Sequence, residues 1–234
     1  MDELADRFPP LIGNALCLDF ANTLETHRDH LRGDYRQLLR WAEHAGVIGP
    51  RLGTRLRQRA KAEPESAAGV MEEAVRLRTA IVRVFAAVAT GARPDAADLA
   101  VVRDGYATAL QAAVLAPTGD GLQWAWPEDS PLSGPTEPLT RPLWPISASA
   151  ARLATSAGQL QRVKVCAGEG CNWLFVDTSK NRSRRWCLMR YCGNVGKSQR
   201  QAAHRRAGRA SRQPTSRTVE GPQASRTTST SEQS

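Results

Sequence analysis

The chain has 234 residues, of which 41% are hydrophobic, which is enough for one or two domains with a buried core. It contains no apolar run of about eighteen residues, and its acidic, proline-broken start "MDELADRFPP" differs from a signal peptide. We therefore expect a cytoplasmic protein with no membrane span, in a compartment that keeps thiols reduced.

The net charge of +9 is concentrated in one part of the chain. Residues 162–212 contain 13 Lys or Arg and 2 acidic residues, whereas residues 1–161 contain 17 basic and 19 acidic residues. The remainder, residues 213–234, is balanced. A near-neutral body followed by a basic segment predicts a polyanionic partner for the second part only.

Helical periodicity dominates the first 115 residues. Helices are expected in "GNALCLDFANTLETH", with Asn14 as its cap, and in "DYRQLLRWAEHAG", which ends at Gly46. The clearest apolar stripe comprises Val70, Ala74, Leu77, Ile81, Val84 and Val88. A further helix is expected to open at Asp95, with the stripe Leu99, Val102, Tyr106 and Leu110.

The pattern then changes to short elements. Two apolar runs around "PTGDG" predict a β-hairpin, and a proline-rich loop separates them from the helix "LWPISASAARLATSAGQLQ" and the strand "RVKV". We predict a mainly α fold: a helical domain with a small β-hairpin at 1–160 and an α+β zinc-finger module, treble-clef-like or ribbon-like, at 161–210. The polar segment 211–234 is expected to be a disordered tail.

Four of the five cysteines form two pairs of equal spacing, Cys166-x4-Cys171 and Cys187-x4-Cys192. Paired cysteines on short loops are the ligands of tetrahedral zinc, and four thiolates leave no position for a catalytic water. We therefore predict a structural Zn²⁺. Two disulfides or buried free thiols, and an iron–sulfur cluster, are the alternatives. The reducing compartment and the small, poorly hydrophobic module disfavour the first reading, and the spacing disfavours the cluster.

Glycines and aromatic residues surround the pairs. Gly168 and Gly170 lie inside the first loop, where a tight turn favours positive φ. Trp173, Trp186 and Tyr191 are expected to pack around the metal rather than stack on bases. The fifth cysteine, Cys17, lies on an apolar helix face and is expected in the core.

Basic residues lie between the two cysteine pairs, within the second pair and after it. The second pair is expected to open a final helix. Such a cluster of basic side chains favours binding to phosphates and to guanine edges. The predicted nucleic-acid-binding residues are Lys180, Arg182, Arg184, Arg185, Arg190, Lys197, Arg200, Arg205 and Arg206. A merely solvated basic surface is the alternative, although ordinary solvated faces mix charges of both signs.

The segment "CNWLFVDTSKNRSRRWCLMRYCGN" resembles the CGNR zinc finger of bacterial regulators, and "ALCLDFANTLE" with "LLRWAEHAGV" resembles the ABATE domain, a stress-induced transcription regulator, that is usually joined to it. The resemblance covers roughly residues 10 to 207. It implies that the four paired cysteines bind zinc. It also assigns a linking motif to Asp177, Ser179, Asn181, Ser183, Arg184, Arg185 and Trp186, and a turn to Gly193 and Asn194.

One position departs from the family pattern. The run is Cys192-Gly193-Asn194-Val195, with valine in place of the arginine of the family name. If that arginine contacts phosphate in relatives, Lys197 or Arg200 must replace it here; if it packs on the finger, little changes.

The helical part shows no catalytic constellation. His27 and His30 lie near two acids, where a solvated loop is preferred to a metal site, and Asp19 and Asn22 are interpreted as internal hydrogen-bonding groups. Four hypotheses result: a DNA-binding transcription regulator, an RNA-binding zinc protein, a zinc–thiolate redox-sensing or protein-docking regulator, and an enzyme with its site in the bundle. The first is preferred, with a possible homodimer through the helical domain and an unknown small-molecule effector.

Overall fold

Seven α-helices, one π-helical turn and three two-stranded antiparallel sheets occur in the part of the chain that the computed structural model describes, residues 8–25, 28–31, 33–119, 121–127 and 138–195. The predicted mainly α fold class is confirmed. Within these residues no helix is both long enough and apolar enough to cross a membrane. All of them belong to one compact unit, Met1–Gly196.

The elements follow the chain in this order. The helices are α1 Leu16–Ala21, α2 Tyr35–His44, α3 Pro50–Ala62, α4 Pro64–Ala89, α5 Ala96–Gln111, α6 Leu143–Thr155 and α7 Ala157–Leu160. The paired strands are β1 Leu24–Glu25 with β2 Arg28–Asp29, β3 Val114–Thr118 with β4 Gly121–Ala125, and β5 Val163–Val165 with β6 Leu174–Val176. The hairpin expected around "PTGDG" is β3–β4, and the expected strand "RVKV" is β5.

Two helices begin at a residue whose side chain caps the helix by a local hydrogen bond. At the start of a third helix, α1, the expected capping side chain bonds instead to a distant strand. Asp34 caps α2 and Asp95 caps α5, each side chain accepting a hydrogen bond from the backbone two residues on. Asn14, expected to cap α1, does not. It has a φ of 56°, and its amide donates instead to the carbonyl of Val176, 2.9 Å away. A distant strand has therefore taken the side chain that the sequence pattern assigned to the helix.

Two helices differ from the sequence pattern. The sequence pattern specifies no helix at α3, where only Leu52 and Leu56 are strongly apolar in a segment rich in arginine; both leucines are buried. In α5 the expected stripe is wrong at Leu99, which is 43% exposed, whereas Val102 and Ala109 are buried. When the apolar stripe of a helix is short or weak, packing against neighbouring elements determines which face of the helix is buried.

A single hydrophobic core joins the helices to the β5–β6 sheet. Its large members include Phe20, Trp41 and Phe85, all fully buried, with the rings of Phe20 and Trp41 5.1 Å apart. Leu174 and Val176 of β6 belong to the same core. Cys17 is fully buried there, as expected, and this burial raises the pKa of its thiol to about 12.

The outer edge of β6 is covered by the start of the helical part. The Asn22 side chain accepts from Leu174 N at 2.8 Å and donates to Leu174 O at 3.0 Å. Val176 N donates to Gly13 O at 2.8 Å. A strand edge that would otherwise leave buried polar groups without partners is thus satisfied. The interpretation of Asn22 as an internal hydrogen-bonding residue is confirmed.

The β1–β2 turn is tied to α4 through a buried arginine. Arg78 is 1% exposed, and its guanidinium donates to both carboxylate oxygens of Asp29, at 2.8 and 2.7 Å, and to Thr23 Oγ1 at 3.1 Å. The imidazole Nε2 of His30 lies 3.1 Å from Glu25 Oε1. The expectation of a merely solvated loop is therefore wrong for Asp29 and His30, while His27 lies outside the described residues.

Replacing Asn22 with alanine tests the joint between helix and strand. We expect the free energy of unfolding to fall by about 2–4 kcal/mol, because the N–H and C=O of Leu174 would both be buried without a partner. Urea denaturation measures this. Asn172→Ala, at an exposed position, is the control and should change stability by less than about 0.5 kcal/mol. Equal stability of the two variants would refute the joint.

Candidate metal centre and basic surface

The two cysteine pairs converge. The four Sγ atoms of Cys166, Cys171, Cys187 and Cys192 all lie within 4.8 Å of one another. The sulfur of Cys187 is 3.9 Å from that of Cys171 and 3.5 Å from that of Cys192. A tetrahedral ion with Zn–S bonds of about 2.3 Å separates its sulfurs by roughly 3.8 Å, so the donor set and spacing fit Zn²⁺. All four are free thiols, not disulfides.

The first pair lies on a loop between β5 and β6. Gly170 has a φ of +70°, as the tight turn predicts. Gly168 is needed for a different reason than expected: a Cβ there would lie 2.7 Å from the sulfur of Cys192. The loop must therefore approach the second pair with its backbone. Ala167 N also donates to Arg185 O at 2.9 Å, which fixes the two ligand loops to each other.

The second pair spans a turn rather than the start of a regular helix. Cys187 precedes a π-helical turn, Met189–Gly193, that contains Cys192. Beyond residue 195 the expected final helix lies outside the described residues. The amides of Cys187 and Gly168 donate to Cys166 Sγ at 3.2 and 3.4 Å. These two N–H donors stabilise negative charge on the Cys166 sulfur and so favour the thiolate that a metal requires.

Asp177 organises the loop between the pairs. Its side chain is fully buried and accepts from Lys164 Nζ at 2.7 Å, from Ser179 N and Oγ at 2.9 and 2.6 Å, and from Arg184 N at 3.0 Å. Burial by itself would raise its pKa, but these hydrogen bonds outweigh burial and lower it. Apart from the family motif, the sequence signal for Asp177 is that it is one of only 2 acids in residues 162–212.

Lys164, in β5, and Arg162, in the turn before it, form hydrogen bonds within the protein. Lys164 Nζ also donates to the carbonyls of Arg182 and Arg184, at 2.6 and 3.1 Å. Arg162 donates to the carbonyls of Asp177 and Ser179, at 3.0 and 3.1 Å. These cations hold the loop 177–185 against the sheet and are used within the protein.

Arg184 was predicted to bind nucleic acid, and the structure gives it another position. Its guanidinium lies 4.1 Å from the centre of the Phe175 ring and donates to the carbonyls of Trp186, Cys187 and Ile12. Phe175 in turn packs on Cys166 and Cys187. Arg184 therefore covers the cysteine cluster and connects it to the N-terminal segment at Ile12. Its planar guanidinium has several N–H donors and can reach several carbonyls at once.

The other described members of the predicted surface face solvent. Lys180, Arg182, Arg185 and Arg190 are exposed. Lys197, Arg200, Arg205 and Arg206 lie outside the described residues. Trp173 and Trp186 pack against the cysteine cluster as expected.

Two positions near the last ligand are more exposed than packing roles require. Tyr191, expected to pack around the metal, is instead 53% exposed, with Arg190 5.2 Å from its ring centre. Val195, at the position of the family arginine, is 56% exposed. The valine at this position therefore contributes little packing to the finger.

Metal analysis of the purified chain should find about one zinc ion per molecule. Cys187→Ser should lose it, because one of four converging ligands is removed. Cys17→Ala, which changes the remaining thiol, should keep it. We also expect chelation of the metal to lower the melting temperature. The strand that carries Phe175 next to the cysteines also contributes side chains to the core of the helical part, so loss of the metal should destabilise both. Full zinc content in Cys187→Ser would contradict the site.

Arg184→Met and Arg185→Met separate an internal from an external arginine of the same motif. Arg184→Met should lower the free energy of unfolding by about 2–4 kcal/mol, because three hydrogen bonds to carbonyls are lost. Arg185→Met should change it by less than about 0.5 kcal/mol, since that side chain is exposed. Denaturation of the zinc-loaded proteins gives both values, and the reverse ranking would show that the assignment is wrong.

Two family models match adjacent parts of the chain. ABATE, described as "Putative stress-induced transcription regulator", matches residues 14–157, and the CGNR zinc finger matches residues 162–207. Neither description is that of an enzyme, and none of the curated proteins matches the chain. The expected pairing of the two families is confirmed. Because the first model alone covers more than half of the 234 residues, the chain belongs to the ABATE family, here followed by a CGNR zinc finger.

Proposed function

We propose that the protein is a DNA-binding transcription regulator of the cytoplasm, possessing a structural four-cysteine zinc finger at 161–210 and a helical regulatory domain at 1–160. The zinc supplies a rigid anchor and no chemistry. Stress-responsive control, suggested by the family description, is part of this proposal, as is a homodimer formed through the helical domain.

The observation that carries the proposal is how the finger divides its cations. Three of them, Arg162, Lys164 and Arg184, are hydrogen-bonded within the protein. Four others point to solvent: Lys180, Arg182, Arg185 and Arg190. No acidic residue occurs from 178 to 219, so nothing along this stretch of sequence offsets the exposed charge. A surface intended only for solubility mixes signs.

The backbones beneath these exposed side chains are held in place. The carbonyl of Arg182 accepts from Lys164, and the carbonyl of Arg185 accepts from Ala167 in the first ligand loop. Arg182 also has a φ of 50°, a conformation that this loop imposes on a residue other than glycine. Fixed backbones reduce the conformational entropy lost when arginines grip phosphates, which favours specific over loose binding.

Duplex DNA binding should fall steeply with salt, and fluorescence anisotropy at several salt concentrations measures the slope. The triple variant Lys180→Gln, Arg185→Gln, Arg190→Gln should reduce the slope by about 3 if each residue neutralises one phosphate. Its zinc content should be unchanged. The matched control Arg51→Gln, Arg55→Gln, Arg76→Gln removes the same charge from exposed positions of the helical domain and should have little effect.

Equal weakening by both triple variants would mean that only net charge matters, and absence of duplex binding at low salt would refute the proposal. Structured RNA competing better than duplex DNA would favour the RNA-binding alternative.

The redox alternative also has a structural observation behind it. Cys171 and Cys192 are partly exposed and border a cavity of about 370 Å³ next to Trp173. Glu25 and Glu169 also line this cavity, so its charge does not suit a polyanion. Zinc release by low peroxide, coupled to a change in partner binding, would favour that alternative over the DNA-binding proposal.

A further inference from the structure

A larger cavity lies within the helical part and is separate from the metal centre. It measures about 820 Å³ and is lined by α2, α3, α4 and the two residues before α2. Pockets for small organic ligands fall in the range of roughly 300–1,000 Å³. The volume therefore suits a small molecule rather than a water or an ion.

The inner wall of the cavity is apolar. Tyr35, Leu39, Ala67 and Met71 line it, and each is no more than 6% exposed. The hydroxyl of Tyr35 donates to the carbonyl of Leu139 at 2.7 Å, so its polar end is already satisfied. What these residues offer a ligand is hydrocarbon and aromatic surface, which favours an apolar body.

The remainder of the lining is polar and carries more positive than negative charge. Arg36, Arg57 and Lys61 line it together with a single acid, Asp34. One carboxylate oxygen of Asp34 caps α2 by accepting from Arg36 N at 2.9 Å. Arg57 Nη1 donates to Glu43 Oε1 at 2.8 Å, and Glu43 is not part of the lining. With Glu43 counted, the three cations and two carboxylates have a net charge of +1.

Hydrogen-bonding groups accompany these cations. Thr54 and Gln58 line the same side of the cavity on α3, and Thr54 Oγ1 accepts from Arg57 Nη2 at 3.3 Å. Arg57 is thus oriented by two partners, whereas Arg36 has 69% of its side chain exposed and meets Asp34 only at 3.7 Å. A carboxylate ligand would find a hydrogen-bonded guanidinium, an exposed guanidinium and an ammonium in the same lining.

We propose that this cavity is a binding site for a small organic acid with an apolar body. The body lies on Leu39, Ala67 and Met71, and the carboxylate is bound by Arg36 and Lys61. An organic cation is repelled by the excess positive charge, and a neutral molecule of the same shape gains nothing from it. The proposal does not depend on DNA binding.

The position of the cavity gives the bound acid a route to the finger. The first two turns of α4 line it, and the same helix contacts β5 and β6, the strands on which the metal module is built. A ligand held against α4 therefore acts on an element shared by the two parts of the protein.

Isothermal titration of the zinc-loaded full chain with octanoate tests the site. We expect one site with a dissociation constant on the order of 0.1 mM. Octan-1-ol should bind at least about tenfold more weakly and octylammonium should not bind, because they lack the negative charge. Arg36→Gln with Lys61→Gln should weaken octanoate binding by about tenfold or more.

The matched control is Arg51→Gln with Arg55→Gln, which removes two exposed charges from α3 outside the cavity lining and should leave the affinity unchanged. Ala67→Phe should abolish binding by filling the apolar wall; if it unfolds the chain, the paired surface variants still decide the result. Absence of octanoate binding at millimolar concentration, equal binding of octan-1-ol, or equal loss in both paired variants would overturn the proposal.

Discussion

The rest of the structure depends on β6, a strand of three residues. Its side chains pack into two hydrophobic clusters, and the strand edge that does not pair with β5 needs other hydrogen-bond partners. Side chains alternate along a strand, so Leu174 and Val176 enter the helical core while Phe175 faces the cysteine cluster. One edge pairs with β5, and Asn22 completes the other by bonding both backbone groups of Leu174. A metal module this small buries little apolar surface by itself, so sharing a strand with a larger core supplies stability that it lacks.

Charged groups do much of the packing inside the finger. Asp177 is surrounded by donors, Lys164 links it to the following loop, and Arg184 covers Phe175. Burying such charges is costly unless every hydrogen bond is made, and here each has several partners. The same segment therefore uses one set of cations to hold its shape and presents another set to solvent. Positive charge in the sequence is for this reason a poor guide to which arginine binds a ligand.

The proposed DNA interface and the proposed organic-acid site lie on parts of the protein connected by α4. That helix lines the 820 Å³ cavity near its start and contacts the strands of the finger. Its buried Arg78 also holds the β1–β2 turn through Asp29. The ABATE domain and the described part of the CGNR finger thus form one folded unit, so α4 physically connects the two proposed sites.

The sequence by itself determined the features that depend on local spacing. The zinc ligands follow from two short loops, the helices α2 and α4 from strong apolar periodicity, and the β3–β4 hairpin from its turn residues. The single helix expected over residues 143–161 is instead divided into α6 and α7 at Ser156. Only the tertiary structure decided which polar side chains turn inward. Arg184 and Arg185 are adjacent and chemically identical, yet one is hydrogen-bonded within the finger and the other faces solvent. Asn14 and Asn22 likewise act on a strand more than 150 residues away. Such roles depend on partners brought together by folding, which no spacing along the chain can reveal.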